Sequence, residues 1–144
     1  MFKTQPDQRL SLWSDLRQSL NQSNNPLSDV AKFWKEAPQV AYNSNIDQYN
    51  ARSWPTPWEI IYEGKYDDFT VALMIGWTLL LTDKFKDSKI EIRSLVDIDN
   101  NRLYNIVYVD DMWVLNFIDG EAATADKVPS LYRLENLVPL ERPR

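Results

Sequence analysis

Two residue types that carry much of enzyme chemistry are absent from this chain. Its 144 residues include no cysteine and no histidine. A cysteine–histidine nucleophile pair, a zinc site built on thiolate or imidazole, and disulfide bonds are therefore all excluded. Glycine is scarce as well, with three in the chain. At this length one domain is expected, and the abundant tryptophan and tyrosine supply material for its core.

The chain also lacks clustered positive charge and a long apolar run. Its formal net charge is −5, and its 16 lysines and arginines are scattered. Because phosphate neutralisation needs clustered basic residues, no nucleic-acid partner is expected. The uncharged run from Phe69 to Leu81 is shorter than the roughly 20 apolar residues that a membrane-spanning helix needs. No membrane partner is therefore expected. The segment Met1 to Pro6 has neither the basic nor the apolar region of a signal peptide, which predicts that the protein is not secreted by that route.

The stretch from Ser53 to Thr82 predicts two successive helices. Thr56, Pro57 and Glu59 form a capping-box pattern with proline at the first helical position, so a short helix should begin at Pro57. Gly64 is placed to end it in a left-handed conformation. The next helix is apolar on every face, which predicts that it is surrounded by other elements and forms the centre of the core. Gly76 inside it indicates close approach by another backbone or a large ring.

Motifs in this stretch carry a family resemblance. The chain reads Trp54-Pro55-Thr56-Pro57-Trp58-Glu59 and then Gly64-Lys65-Tyr66-Asp67-Asp68-Phe69-Thr70. This order resembles the W-x-T/S-P-x-E and G-x-C-x-D-F-A motifs of the transglutaminase-like branch of the papain-type cysteine hydrolases. The match extends from Trp54 to about Asn116. It implies the transglutaminase-like α+β fold.

The resemblance also implies where the family's catalytic residues would stand. Tyr66 occupies the nucleophile position. The histidine position corresponds to Tyr104, or alternatively to Asn105, and the aspartate position corresponds to Asn116. Since all three depart from the family pattern, these are interpreted as vestigial positions, the chain is expected not to be an enzyme, and Tyr66 is expected to fill the vacated cleft with its ring.

The rest of the chain completes an α+β architecture. N-terminal helices and the buried central helix are predicted to pack on an antiparallel β-meander. The predicted helices cover Asp7 to about Asn21 and Pro26 to Pro38, and the predicted strands cover Ile90–Val96, Arg102–Val109 and Met112–Phe117.

Acidic residues near the predicted helix starts and turns raise the alternative of an oxygen-ligand metal site or a carboxylate acid and base. Their spacing favours ordinary helix capping and turn chemistry instead. No metal and no cofactor is therefore predicted. The residues considered are Asp67, Asp68, Asp97, Asp99, Asp110 and Asp111.

The C-terminal segment, residues 125–144, is predicted to be an extended segment or arm that follows a single domain of residues 1–124. Three prolines interrupt regular structure there, yet the segment is too apolar for a solvated tail. It either lies along the domain's own sheet edge or docks on a neighbour by strand addition, and the first placement is favoured. The candidate partner-binding residues are Val128, Leu131, Tyr132, Leu134 and Leu137.

A looser resemblance bears on function. The sequence around Trp54 to Glu59 is similar to that of small transglutaminase-like proteins among tailed-phage gene products. It implies a structural or assembly protein of a phage particle, located in the virion or the host cytoplasm, with other virion subunits as partners and possible self-association. The alternatives are an acidic regulatory protein that binds a host enzyme and a hydrolase that uses carboxylates.

Overall fold

A computed structural model describes residues 1–143. The chain forms four α-helices, five β-strands and two short 3-10 turns. The helices are α1 (Pro6–Leu20), α2 (Pro26–Lys35), α3 (Pro57–Glu63) and α4 (Asp68–Leu80). The strands are β1 (Ile90–Asp97), β2 (Arg102–Val109), β3 (Trp113–Leu115), β4 (Ala123–Thr124) and β5 (Arg133–Pro139).

The strands form one antiparallel sheet in the order β4-β3-β2-β1-β5. Its inner face packs against the helices, where Ile92 on β1 pairs with Val107 on β2 and Val138 on β5. Its outer face carries a smaller cluster centred on Ile106 and Tyr108. The predicted α+β architecture, helices packed on an antiparallel sheet, is confirmed.

The two helix starts predicted from the sequence are both present. Thr56 Oγ1 accepts from the Glu59 backbone N–H and Glu59 Oε1 accepts from the Thr56 N–H, each at 3.2 Å, which is the reciprocal capping box. Gly64 ends α3 with φ of 77°. Asp67 is the residue that caps α4, because its Oδ1 accepts from the Thr70 N–H at 2.8 Å.

Helix α4 is the centre of the core, as its uniform apolarity predicts. Every residue from Phe69 to Leu80 is buried. Thr78 ties it to two other helices, since its Oγ1 accepts from the indole N–H of Trp13 on α1 at 3.0 Å and of Trp34 on α2 at 3.2 Å. Within residues 1–143 no helix is long and apolar enough to cross a membrane.

The C-terminal segment lies on the same domain. Strand β5 pairs with β1, and Leu140 is buried against α4 at Gly76. A Cβ at Gly76 would lie 2.3 Å from Leu140 Cδ1. The close approach predicted at Gly76 is therefore made by an aliphatic side chain, not by a backbone or a ring. In this structure β5 therefore lies along the edge of the chain's own sheet.

Strand β3 is shorter than predicted at both ends. Asp110 and Asp111 form the hairpin turn with φ of 53° and 58°, and the Met112 N–H closes it by donating to the Val109 carbonyl. At the other end Asn116 has φ of 62°, so the chain leaves the extended conformation after Leu115. Met112 therefore belongs to the turn, and the left-handed conformation of Asn116 ends the strand at Leu115.

Candidate functional site

A cavity of 510 Å³ opens between α2, the first turns of α4 and the ends of β2 and β3. Part of its wall is apolar. The acid–amide pair Asp68 and Asn116 and the charged pair Lys35 and Asp119 also border it. An apolar wall with a few convergent polar groups makes this cavity the default candidate site. Its lining includes the side chains of Trp34, Lys35, Asp68, Arg102, Asn116 and Asp119.

The Asp68 carboxylate is held in this cavity by two side-chain amides. Asn105 Nδ2 donates to Asp68 Oδ2 at 3.0 Å, and Asn116 Nδ2 donates to Asp68 Oδ1 at 3.2 Å. The Asn116 amide also donates to the Asn105 carbonyl at 2.8 Å, so the two asparagines are fixed to each other. Each carboxylate oxygen thus receives one neutral donor and retains further acceptor capacity.

Local sequence explains why these three side chains converge. Asp67 takes the capping position of α4, which leaves Asp68 in the first turn free to point at the sheet. Asn105 has the same strand parity as Val107 and Val109, and therefore faces the helices. Asn116 adopts the left-handed conformation that asparagine tolerates better than most residues, and this turns its amide toward Asp68.

Burial dominates the electrostatics of Asp68. Desolvation raises its pKa above the ordinary aspartate value, the hydrogen bonds from Asn105 and Asn116 oppose that effect, and the neighbouring Asp67 adds to it. The cationic residues at the cavity rim have other partners. Lys35 Nζ lies 3.9 Å from Asp119 Oδ2, and the Arg102 guanidinium lies 4.5 Å above the Tyr104 ring.

The polar contacts continue along the inner face of the sheet. Ser94 Oγ on β1 donates to Asn105 Oδ1 at 2.7 Å. Asn136 on β5 pairs with Ser94, and its buried Nδ2 has no hydrogen-bond partner. Together with Asp68 and Asn116, these residues form a polar row across five chain segments. Buried rows of this kind rigidify a site when their members are satisfied, and here Asn105 is fixed on both sides.

Tyr66, the nucleophile position implied by the family resemblance, is fully buried. Its ring packs against Phe2 and Trp34 with centroids 5.6 and 5.5 Å away. Burial raises the pKa of Tyr66 to about 12, with a smaller opposing effect from Arg9. Its hydroxyl has no hydrogen-bond partner. The phenol therefore stays protonated at neutral pH and fills space between α2 and the N-terminal residues.

The structure does not bring Tyr66, Tyr104 and Asn116 into one constellation. The Tyr104 ring lies on the outer face of the sheet, stacked on Tyr132 at 5.6 Å with an interplanar angle of 13°. Asn105, the alternative for the same position, is the residue on the cleft side. Asn116 is brought together with Asn105 and Asp68 instead.

The residues proposed for partner binding divide into two groups. Val128 and Tyr132 pack on the outer-face cluster of the chain's own sheet. The other three are exposed, at 86% for Leu131, 52% for Leu134 and 40% for Leu137. These three are called the leucine strip below.

Asp68 is the site residue that motif reasoning missed, since both consecutive aspartates were assigned to helix capping. A signal was present, because a helix has one N-cap position and a second adjacent acid must face elsewhere. Of the other acids considered, Asp111 pairs with Lys89 at 3.0 Å and Asp97 binds the Asn100 side chain at 2.7 Å. Among residues 1–143 no three acidic, histidine or cysteine residues gather in a group that could hold a metal ion.

Solved protein structures with a fold similar to that of this chain are known. The structure is similar to LapG of Legionella pneumophila in its calcium-bound form, with a TM-score of 0.71 at 18% identity, covering 95% of this chain and 81% of that one. An EGTA-treated form of LapG gives 0.69 at 18% identity, covering 93% and 77%. LapG is a calcium-dependent cysteine protease of transglutaminase-like fold, and the fold of this chain is transglutaminase-like. No protein-family model and no curated protein sequence matches the chain.

This similarity corrects one prediction made from the sequence. The expectation that the chain is not an enzyme was wrong as an inference, because its structural neighbours include a protease. The missing cysteine and histidine exclude cysteine–histidine chemistry and nothing more. A partly buried carboxylate such as Asp68 can support other acid–base chemistry, so the absence of cysteine and histidine does not exclude an enzyme.

Proposed function

We propose that this chain is an assembly protein of a tailed-phage particle and that it binds other virion subunits through the leucine strip. The observation that carries the proposal is the exposure of Leu131, Leu134 and Leu137 within and just before one edge strand. Isolated apolar side chains on a surface need no explanation, but several exposed leucines beside a free sheet edge are typical of a protein-binding surface.

The surroundings of the leucine strip support this role. Leu134 and Leu137 border a shallow depression of 380 Å³ on the outer face, next to Tyr108 and Tyr132. Arg93 stacks on the Tyr108 ring, with its Cζ 3.9 Å from the ring centroid. Aromatic and arginine side chains around an apolar centre are enriched in protein interfaces.

Strand β5 has one side available for pairing. Its inner neighbour is β1, and no strand of residues 1–143 pairs with its other side. An extended segment of a partner could add there while its side chains contact the leucine strip. The assignment to a phage, as opposed to a bacterium, is supported by the resemblance of the Trp54 to Glu59 motif alone.

The test compares wild type with a triple variant, Leu131→Ser, Leu134→Thr and Leu137→Thr. Particles from cells that carry the coding sequence are banded by density and analysed by mass spectrometry. We expect the wild-type protein in the particle fraction and loss of the triple variant from it. A matched control replaces two exposed tyrosines outside the strip, Tyr42→Ser and Tyr49→Ser, which are 74% and 76% exposed. Absence of the wild type from particles, or equal incorporation of the triple variant, would contradict the proposal.

A second candidate function is a hydrolase that uses the Asp68 carboxylate as general acid or base. The specific observation in its favour is a partly buried carboxylate of raised pKa that borders a cavity of 510 Å³. A panel of peptide and ester substrates tests it, with Asp68→Asn as the inactivating change and the rim variant Asp119→Asn as the control. Turnover that the two variants reduce equally would speak against Asp68.

A further inference from the structure

The Asp68 carboxylate is a negative group with no positive partner among the described residues. Its two hydrogen-bond donors are the neutral amides of Asn105 and Asn116. Its nearest acidic neighbour in sequence, Asp67, adds to the unfavourable charge. Removing a carboxylate from water without a counter-charge is costly, so the folded cavity favours a positive group there.

The basic residues around the cavity pair with other groups and not with Asp68. Lys35 is engaged with Asp119 at 3.9 Å across the rim. The Arg102 guanidinium lies over the Tyr104 ring at 4.5 Å. Neither contact includes Asp68, which lines the cavity together with Trp34 and Asn116.

We infer that this cavity is a binding site for a guanidinium group, such as an arginine side chain presented by a peptide or a protein. The Asp68 carboxylate accepts from the guanidinium, and the apolar wall of Val71 and Ile75 contacts the aliphatic stem. The inference concerns the inner cleft and depends neither on the leucine strip nor on a catalytic role of Asp68.

Three features favour a guanidinium over other cations. Its planar fork matches the two oxygens of a carboxylate, each of which keeps acceptor capacity after the asparagine bond. It is more weakly hydrated than an ammonium and stacks on aromatic rings, and Trp34 and Phe117 line the cavity. A metal ion would need several oxygen ligands gathered at one point, and no three acidic residues among residues 1–143 form such a group.

The side chains that orient Asp68 are fixed before a ligand arrives. Asn105 is held by Ser94 on one side and by the Asn116 amide on the other. Because the two amides immobilise the carboxylate, little rotamer entropy is lost on binding. Asn105 and Asn116 are therefore positioning residues for the site.

The test is isothermal titration of the full chain with N-acetyl-arginine amide, with the citrulline and lysine counterparts as matched probes. Citrulline keeps the shape and length of arginine but carries no charge. We expect the arginine probe to bind at least about tenfold more tightly than the citrulline probe, because charge-assisted hydrogen bonds to a carboxylate are roughly twice as strong as neutral ones. Equal binding of the two probes, or no binding of arginine at millimolar concentration, would overturn the inference. Tighter binding of the lysine probe would overturn the choice of guanidinium.

A variant pair then locates the site. Asp68→Asn should lower the affinity for the arginine probe by at least about tenfold. Asp119→Asn, at the rim of the same cavity, should change it by less than about twofold. If Asp68→Asn fails to fold, the comparison of arginine with citrulline on the wild-type chain still decides the matter. Loss of binding in the rim variant alone would place the arginine at Asp119 and contradict the assignment to Asp68.

Discussion

Leu140 occupies the space that a side chain at Gly76 would need. A Cβ built on Gly76 lies 2.3 Å from Leu140 Cδ1 and 3.4 Å from Ile90 Cγ2. The lack of a side chain at Gly76, in the middle of α4, thus leaves room for Leu140, the residue that follows β5. Leu140 is 8% exposed there. This contact couples the last strand to the central helix.

The effect of Gly76→Ala on the free energy of unfolding is expected to have opposite signs in the wild type and in a Leu140→Ala background. In the wild type the new methyl group displaces Leu140, so the free energy of unfolding should fall even though alanine favours a helix. In a Leu140→Ala background the overlap is gone, and Gly76→Ala should raise the free energy of unfolding by about 1 kcal/mol, the helix-propensity difference. Urea unfolding of the four proteins in this cycle measures the coupling. A coupling near zero would show that Leu140 does not depend on Gly76.

Thr78 accepts hydrogen bonds from two buried tryptophans, and the substitution Thr78→Val tests how much they stabilise the core. Valine matches threonine in shape but leaves the indole N–H groups of Trp13 and Trp34 without an acceptor. We expect a loss of about 1–3 kcal/mol for each unsatisfied donor. Chemical unfolding followed by tryptophan fluorescence measures it.

Thr82→Val is the matched control for that change. Thr82 is also buried, but its hydroxyl donates to the Leu79 carbonyl within the same helix end, at 2.6 Å, and bridges no other helix. The expected loss is below about 1 kcal/mol. Equal losses in the two variants would mean that the interhelical bonds contribute little.

Local signals in the sequence were enough to predict most of the fold. The capping box at Thr56, the left-handed Gly64 and the hairpin at Asp110 each depend on a few adjacent residues, and all three are present. The alternation along β1 predicts that Ile90 and Ile92 face the core, but not that Glu91 and Leu95 on its other face are buried as well. Such features follow from chemistry that acts within one turn or one strand.

The candidate site could not be predicted in the same way, because it depends on contacts between distant segments. Asp68, Asn105 and Asn116 meet only after the sheet has packed on α4. The motif placed a family position at Tyr104 or Asn105, and only strand parity in the folded sheet separates them. The contact between Leu140 and Gly76 likewise joins residues that are far apart in the sequence.

The raised pKa of Asp68 predicts a specific dependence of stability on pH. Burial makes the folded carboxylate bind its proton more tightly than the unfolded one, for which the ordinary value is 3.8. As the pH falls from neutral through the raised folded pKa, the folded state takes up the proton first and gains stability. The gain is complete near the ordinary value, where both states are protonated.

The free energy of unfolding of wild type relative to Asp68→Asn should therefore rise as the pH is lowered from 7 toward about 4. The other carboxylates titrate in both proteins, so their effect cancels in the difference. Guanidinium chloride would compete for the proposed site, so urea is the denaturant of choice. A difference that stays constant over this range, or that shrinks, would show that Asp68 is not destabilised by burial.

Tyr66 provides the last prediction, which separates a space-filling ring from a functional hydroxyl. The hydroxyl is buried without a partner, so Tyr66→Phe removes an unsatisfied polar group and keeps the ring against Trp34 and Phe2. We expect the free energy of unfolding to rise by about 1 kcal/mol. Tyr66→Ala should instead lower it by about 3–5 kcal/mol, because it leaves a cavity beside the Phe2 and Trp34 rings. Tyr62→Phe, at a position that is 56% exposed, serves as the control and should change little. If Tyr66→Phe destabilised the chain or weakened binding of the arginine probe, the hydroxyl would have a partner in solution, and Tyr66 would belong to the site rather than to the core beneath it.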